Sequence, residues 1–477
     1  VLNNPLKTQI YALRFYKEPR TELLKTNFMY KWTLAWRYFR KRPITILAVL
    51  AVALCVFIVV VVMTVMNGLV QEFRDKNHRY VGDCVISSDS LVGFGYYEPF
   101  VERLEQQPFV LAVSPVVRQV GLMSQPGGAW NMGIEIVGID PQRHAKATGF
   151  GESLYFRRGN PALAFVPVYN PSLEGCVLGI DLVVRRGPNG DYLHEEEPFP
   201  YQLVISSFPL NIRGGLARAG TDMVSSRTFY YSDNCHTGLV KVDANAVYIP
   251  LETAQILCGM DSPLRRVNEI SVKFRPGIPF DKGIGQVETL WQAHLQEYRD
   301  KPGGDLLEHV VVESWLQNRR SVIAPMEKEQ TLLILLFLML GVITVFIIFV
   351  VLYMIVSHSG RDIGILRSVG VPIGGVVVIF EGFAVLTGLV GALVGAAGGC
   401  LFLWRVNAIE HWLHQHYGWQ LWNRSIYAIG AIPNRIDPIL LAAVAAAAVL
   451  ACLIGGLAPS IKAGLKRPVE TLQINQI

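Results

Sequence analysis

The sequence predicts a membrane protein: four transmembrane α-helices with a large α+β extracytoplasmic domain inserted between helices 1 and 2. Three observations carry this reading. Residues 44–66 hold no charged side chain, and at roughly 1.5 Å of rise per residue such a helix reaches about 35 Å, enough to cross a bilayer core. Residues 331–356, 371–403 and 439–459 repeat the pattern, interrupted only by Glu381. Lipid forces each stretch to be helical, because its backbone groups must pair internally. Between the first two stretches lies a long insert of ordinary globular composition.

With 477 residues, 51% hydrophobic and 17% charged, the chain stands between a soluble protein and a pure membrane bundle. A net charge of +5 is too small at this size to suggest nucleic acid as a partner. The basic residues instead flank particular apolar ends: Arg20, Lys25, Lys31, Arg37, Arg40, Lys41 and Arg42 precede the first, Arg361 and Arg367 separate the second from the third, and Lys462, Lys466 and Arg467 follow the fourth. Positive charge is retained on the cytoplasmic side, so both termini are expected inside and the insert outside. The organisation that follows is a cytoplasmic segment 1–43, span 44–66, extracytoplasmic domain 67–330, span 331–356 and cytoplasmic segment 357–372. Span 373–403, external loop 404–437, span 438–459 and cytoplasmic tail 460–477 complete it. The first span is expected to act as an uncleaved anchor, being too long for a signal peptide and lacking a small-residue cleavage site. Residues 1–28 are weakly patterned, and a better-formed segment opens at Met29. There Trp32, Ala35, Trp36 and Phe39 oppose Arg37, Arg40 and Lys41, the pattern of an interfacial helix or a plain topology anchor.

Beyond the first span Met66, Leu69, Val70 and Phe73 keep helical spacing opposite Gln71, Glu72, Arg74 and Asp75, which predicts a stalk. A second stalk precedes the second span, where Trp315, Val322, Ile323 and Met326 share a face among Arg319, Arg320, Glu327 and Lys328, with Pro325 expected to kink or restart it. Between the stalks, 110–117, 134–139, 203–208, 246–249 and 270–274 read as strands and 100–107, 251–258 and 286–298 as helices, an α+β pattern. The Gly-, Pro- and Arg-rich stretch 142–231 is expected to form an inserted lobe. Cys84, Cys176, Cys235 and Cys258 fall in this domain; an external compartment permits disulfides, four cysteines allow three complete pairings, and four buried thiols are the alternative.

Gly388, Gly391, Gly395 and Gly399 form a small-residue stripe in the third span, which in lipid favours close helix packing over a ligand role. Glu381, near one end of that span, fits a snorkelling carboxylate, a structural hydrogen bond or a functional group. Glu410, His411, His414 and His416 stand among Trp404, Trp412, Trp419 and Trp422; interfacial aromatics explain that composition better than a metal site, and no metal is expected. His194–Glu197 departs from the zinc pattern HExxH and reads as a solvated turn. With no nucleophile elbow and no GxxxxGK[ST] loop, the chain is expected to be no enzyme and to hold no catalytic residues.

Residues 357–372, SHSGRDIGILRSVGVP, form a segment longer than a tight connection needs. Ile363, Leu366 and Val369 are expected on one helix face against Arg361, Asp362 and Arg367, with Gly370 and Pro372 as the stop. RDIGILRSVG resembles the cytoplasmic segment of FtsX-like permeases, the membrane halves of MacB-type ABC transporters. Within them the chain is most similar to the lipoprotein-releasing (Lol) permeases, through VMNG at 65–68, VSPVVRQVGLM at 113–123, IVGIDP at 136–141, VLGIDL at 177–182 and VDANAVYIPLETAQIL at 242–257. Trp315 with Asn318, YAIGAIPNRID at 427–437 and RPVETL at 467–472 extend the match in the same order. The sequence departs from the family in 142–231.

The resemblance implies a permease that dimerises with itself or a related subunit and binds separate ABC ATPase subunits, which hold the ATP and magnesium; no cofactor is expected on this chain. Arg361, Asp362, Ile363, Gly364, Leu366, Arg367 and Gly370 would couple to the ATPase. Lipoproteins would be extracted from the outer leaflet of the inner membrane and passed to a periplasmic lipoprotein carrier, their acyl chains against Val59, Met63, Met66, Phe337 and Leu340. The same layout also admits an FtsX-like mechanotransmission protein regulating an extracytoplasmic cell-wall hydrolase, or an efflux permease for amphiphiles or peptides.

Overall fold

The computed structural model describes residues 44–127, 130–187, 191–193, 198–216, 224–419, 422 and 431–465. The expected interfacial helix, the turn at 194–197, the first four residues of the 427–437 motif and the 467–472 motif lie outside them. Along the chain run α1 (Ile44–Val81), β1 (Cys84–Ser88), α2 (Tyr97–Glu105), β2 (Val110–Ser124), β3 (Asn131–Ile139), α3 (Pro141–Ala147), β4 (Gly175–Gly179), β5 (Gln202–Ser207), β6 (Ser225–Cys235), β7 (Ala246–Pro250) and α4 (Leu251–Cys258). There follow β8 (Glu269–Phe274), α5 (Phe280–Tyr298), β9 (Val310–Ser314), α6 (Arg320–His358), α7 (Gly360–Ser368), α8 (Ile373–Tyr417) and α9 (Pro438–Leu465), with shorter helical turns between. The chain divides into two compact units: one of Val1–Gly68, Lys328–Trp419 and Ile432–Ile477, the other of Leu69–Glu327 with Gln420–Ala431.

Among the described residues, α1, α6, α8 and α9 are the four helices long and apolar enough to cross a membrane. In the first unit α8 is the hub. A Cβ added at Gly391 would stand 2.7 Å from the Val52 Cβ of α1, one at Gly395 2.9 Å from Val56, and one at Gly399 3.1 Å from Val60; at Gly388 it would meet Cys452 of α9 at 3.0 Å. The absent side chains therefore set the approach of α1 and α9 to α8, which is how helices associate where lipid removes the hydrophobic drive. On α9, Gly455 and Gly456 do the same toward Val345, Ile348 and Leu352 of α6.

In the second unit the pairings β2–β3, β3–β7, β7–β4, β4–β6, β6–β5 and β5–β2 close into a ring of six strands, and β8, β1 and β9 extend from the other half of β2. β2 can serve both because it is 15 residues long: Val110–Val116 faces β8 and Gly121–Ser124 faces β5. The ring corrects the expectation of a separate lobe over 142–231, since β4, β5 and β6 come from that stretch and share the sheet. Its Gly and Pro residues lie mostly in the connections, while each short strand keeps inward apolar residues such as Leu178, Leu203, Ile205 and Phe229 in the domain core. Arg266 is buried in this domain and donates to the carbonyls of Val92 and Leu210 at 2.9 Å and of Gly259 at 2.5 Å, which offsets its lost hydration.

The helices outrun their apolar stretches. α1 carries span and stalk as a single 38-residue helix. Pro325 lies inside α6 and does not restart it; the restart comes earlier, where Ser314 and Gln317 form a capping box on the turn Trp315–Asn318 before α6 begins at Arg320. The loop expected over 404–437 is helical as far as Tyr417, and Gly418, at φ 68°, ends α8 there.

Gly391→Leu should force α1 away from α8 at a cost of about 1–3 kcal/mol, read as a lower thermal midpoint of the detergent-solubilised chain. Gly341→Leu, on α6 with open space around it, should leave that midpoint unchanged.

Candidate functional site

The external ends of α1 and α6 are joined to each other at successive levels. Asn67 accepts from Gln330 at 2.6 Å, and beyond it Arg74 pairs with Glu327. His78 stacks on Trp315 with ring centroids 4.7 Å apart, and the Arg319 guanidinium lies over the Tyr80 ring at 4.8 Å. α1 then stops at Gly82, φ 89°, which turns the chain and presents Asp83. The Asp83 carboxylate accepts from His78 Nε2 at 2.7 Å, Lys273 Nζ at 2.8 Å and the Phe274 amide at 2.8 Å, knotting the helix end to β8. Burial opposes its charge, yet these donors hold its pKa below the usual aspartate value.

Beneath this junction lies a partly buried ionic cluster, with Glu269 its buried member. Arg118, on β2, gives Nε to Glu269 of β8 at 2.8 Å and Nη1 to Glu135 of β3 at 3.0 Å and to the Tyr80 hydroxyl at 2.9 Å. Burial works against the guanidinium charge, but Glu269, Tyr80 and Glu135 overcome it and raise its pKa; reciprocally, burial of Glu269 is overridden by Arg118 and its pKa falls below the usual glutamate value. His144, bonded through Nδ1 to Ser114 Oγ at 3.1 Å, is kept neutral by burial and by Arg118, its pKa pushed down to about 3. The helix carrying the first span thus ends on a charged cluster shared by three strands. Sequence reading named Arg74, Trp315, Arg319 and Glu327 but missed His78, Tyr80, Asp83, Arg118, Lys273 and Glu269. The available signal was a charge inside an apolar strand, as in VVRQV and NEISV.

At the other end, α7 connects α6 to α8. Ile363 is 1% exposed and packs into the bundle beside Gly364, while Arg361 and Asp362 are exposed and Arg367 and Leu366 half-buried. Val369 does not join the buried face: it is 80% exposed, because α7 ends at Ser368 and Gly370, at φ 95°, turns the chain. Pro372 then caps α8. Of the residues proposed against acyl chains, Met63 and Met66 are buried and Val59, Phe337 and Leu340 half-buried. Glu381 lies on α8 beside Gly456 of α9. On α8, His411 bonds Gln415 and His416 stacks on Trp412, with ring centroids 4.9 Å apart. Cys84, Cys176, Cys235 and Cys258 are free, buried thiols, and burial raises the pKa of each, to about 12 for Cys235 and about 11 for Cys258.

Four apolar helices with an α+β domain between the first two define a multi-pass membrane protein of the permease class. Residues 334–467 match the FtsX-like permease C-terminal family, and residues 45–188 match the MacB-like periplasmic core domain. The chain is an ABC transporter permease of the FtsX and MacB type, an inner-membrane transport component with a periplasmic domain. It is 23% identical to the lipoprotein-releasing system transmembrane protein LolC of Neisseria meningitidis serogroup B, over 92% of this chain and 98% of that one. It is 20% identical to LolC of Xylella fastidiosa strain 9a5c, over 90% and 94% respectively. The crystal structure of the periplasmic region of MacB from Actinobacillus actinomycetemcomitans is 12% identical, covers 52% of this chain and 95% of its own, and gives a TM-score of 0.29.

Arg118→Met should destabilise the full chain by about 3–5 kcal/mol, since it strands the buried Glu269 charge; adding Glu269→Gln should recover part of that loss in denaturant titrations. The pH dependence has a definite sign. His144 has a folded value below its ordinary 6.5 and Glu269 one below its ordinary 4.5, so in both cases the unfolded chain binds more protons. Stability should therefore decline as pH falls below about 6.5 and more steeply below about 4.5. His144→Gln should flatten the upper part of that limb and Glu269→Gln the lower.

Proposed function

We propose that this permease converts ATP hydrolysis on separate ATPase subunits into release of lipoproteins from the outer leaflet of the inner membrane. The stalk junction is the observation that carries the reading: α1 and α6 each continue a span into the α+β domain, and cross-links at successive levels make them one strut. A strut braced in this way transmits displacement instead of dissipating it in side-chain rotation. Similarity to LolC along more than nine-tenths of the chain favours a lipoprotein as the cargo.

On this reading both termini are cytoplasmic and α7 is the surface the ATPase grips. Arg361 and Asp362 supply exposed charge, Ile365 and Val369 exposed apolar contact, and buried Ile363 ties the grip to the bundle. ATP and magnesium reside on the partner. A second permease, identical or related, completes the assembly, and a periplasmic carrier receives the cargo. Val59, Met63, Met66, Phe337 and Leu340 are the residues proposed to contact acyl chains.

Depletion should leave lipoproteins in the inner membrane, detected by fractionation; normal release under depletion would sink the proposal. Capture of a cell-wall hydrolase by the complex, without acylated cargo, would favour mechanotransmission instead. Arg361→Glu/Arg367→Glu should abolish cargo-stimulated ATPase activity with the amount of inserted chain unchanged. Trp315→Ala should separate hydrolysis from release, lowering release per ATP by about two- to thirty-fold; equal loss of both would remove the stalk from the coupling path.

A further inference from the structure

Behind the stalk junction, α1 walls a cleft of about 240 Å³ that the coupling scheme does not use. Lys76 and Arg79 enter it from α1, Glu152 and Arg158 from the segment after α3, and His236 and Gly238 from the turn after β6. Three permanent cations therefore face a single lining carboxylate. Lys76 is engaged, pairing with Glu72 at 3.2 Å and packing its ammonium against Gly238. Arg79 and Arg158 are exposed and make no ion pair among the described residues. His144 and His236 do not add to the charge near neutral pH, because burial lowers the pKa of both.

This contrasts with the rest of the junction, where Arg74, Arg118 and Lys273 each meet a carboxylate. Two arginines without an ion pair among the described residues, lining one cleft together with Lys76, create a local positive potential that favours a compact oxyanion. Guanidinium groups suit phosphate in particular, because their parallel N–H donors match two of its oxygens. We propose that this cleft binds a phosphate-bearing anion between Arg79 and Arg158. The bound anion would tie the last turn of α1 to the segment after α3, bracing the strut on the side where protein contacts leave it open. The proposal does not depend on what the permease moves. A phospholipid headgroup and free phosphate share this chemistry, and the experiment separates them.

The full chain in lipid-free detergent would be melted with increasing inorganic phosphate at constant ionic strength, and analysed by native mass spectrometry after exposure to phosphatidylglycerol or uncharged diacylglycerol. The wild type should show a saturable rise in midpoint with phosphate, weakened at least about tenfold in Arg79→Gln/Arg158→Gln. Retention of phosphatidylglycerol by the wild type alone, with phosphate inert, would also support the site and assign it to a headgroup. Arg158→Gln, an exposed single change, covers the case in which the double variant misfolds, and Arg143→Gln/Arg265→Gln removes the same charge elsewhere. Absence of both responses, or an equal loss in the Arg143/Arg265 control, would overturn the proposal.

Discussion

A half-buried guanidinium on a sheet is held in place by the anions brought to it, and the second unit gathers several such groups around Arg118. Glu269 and Glu135 come from strands on either side of β2, and the Tyr80 hydroxyl comes from the end of α1. Satisfying one residue therefore fixes the register of three strands and the seat of the first stalk together. A hydrophobic replacement could match its stability, but it would not specify where a helix arriving from the membrane must dock. The neighbouring Asp83 repeats the arrangement with the sign reversed, one carboxylate drawing in His78, Lys273 and a backbone amide.

The first unit works under a different constraint. Its helices meet in a medium as apolar as their own side chains, so association depends on how closely backbones approach. Gly391, Gly395 and Gly399 admit α1 along one line of α8, while Gly388 opens toward α9. On α9, Gly455 and Gly456 accept α6. The same composition that would weaken a soluble helix here sets the packing order of the bundle.

The sequence made the four spans, the stalk faces and the α+β character legible because each rests on a local periodicity or an uninterrupted apolar run. The glycine stripe was legible for the same reason. What escaped was non-local: closure of β2, β3, β7, β4, β6 and β5 into a ring joins residues far apart in the chain, and the irregular composition of 142–231 concealed two of its strands, β4 and β6, while β5 was legible at 203–208. Composition also misled at 404–417, where histidines and tryptophans suggested a loop although nothing before Gly418 stops the helix. In the short segment after α6, spacing alone put Val369 on the buried face, but spacing predicts a face only while the helix continues, and this one ends at Ser368.

Permeases of this type work with ABC ATPase partners in general, and the mechanical role proposed for this chain requires its first helix to be held stiffly. α1 is a single helix from Ile44 to Val81, and no proline or glycine interrupts it between Leu69 and Val81. A long helix by itself is a poor lever because it bends and rotates about its axis. Contacts of different chemistry with α6, the turn before it and β8 remove those freedoms separately: the Arg74–Glu327 pair resists separation, the stack of His78 on Trp315 resists twisting, and the Asp83 knot resists sliding against β8. Because the contacts occupy successive turns, loss of one leaves the others in register, while loss of Arg118 undermines the seat on which they rest. These cross-links are therefore gathered where α1 meets the sheet.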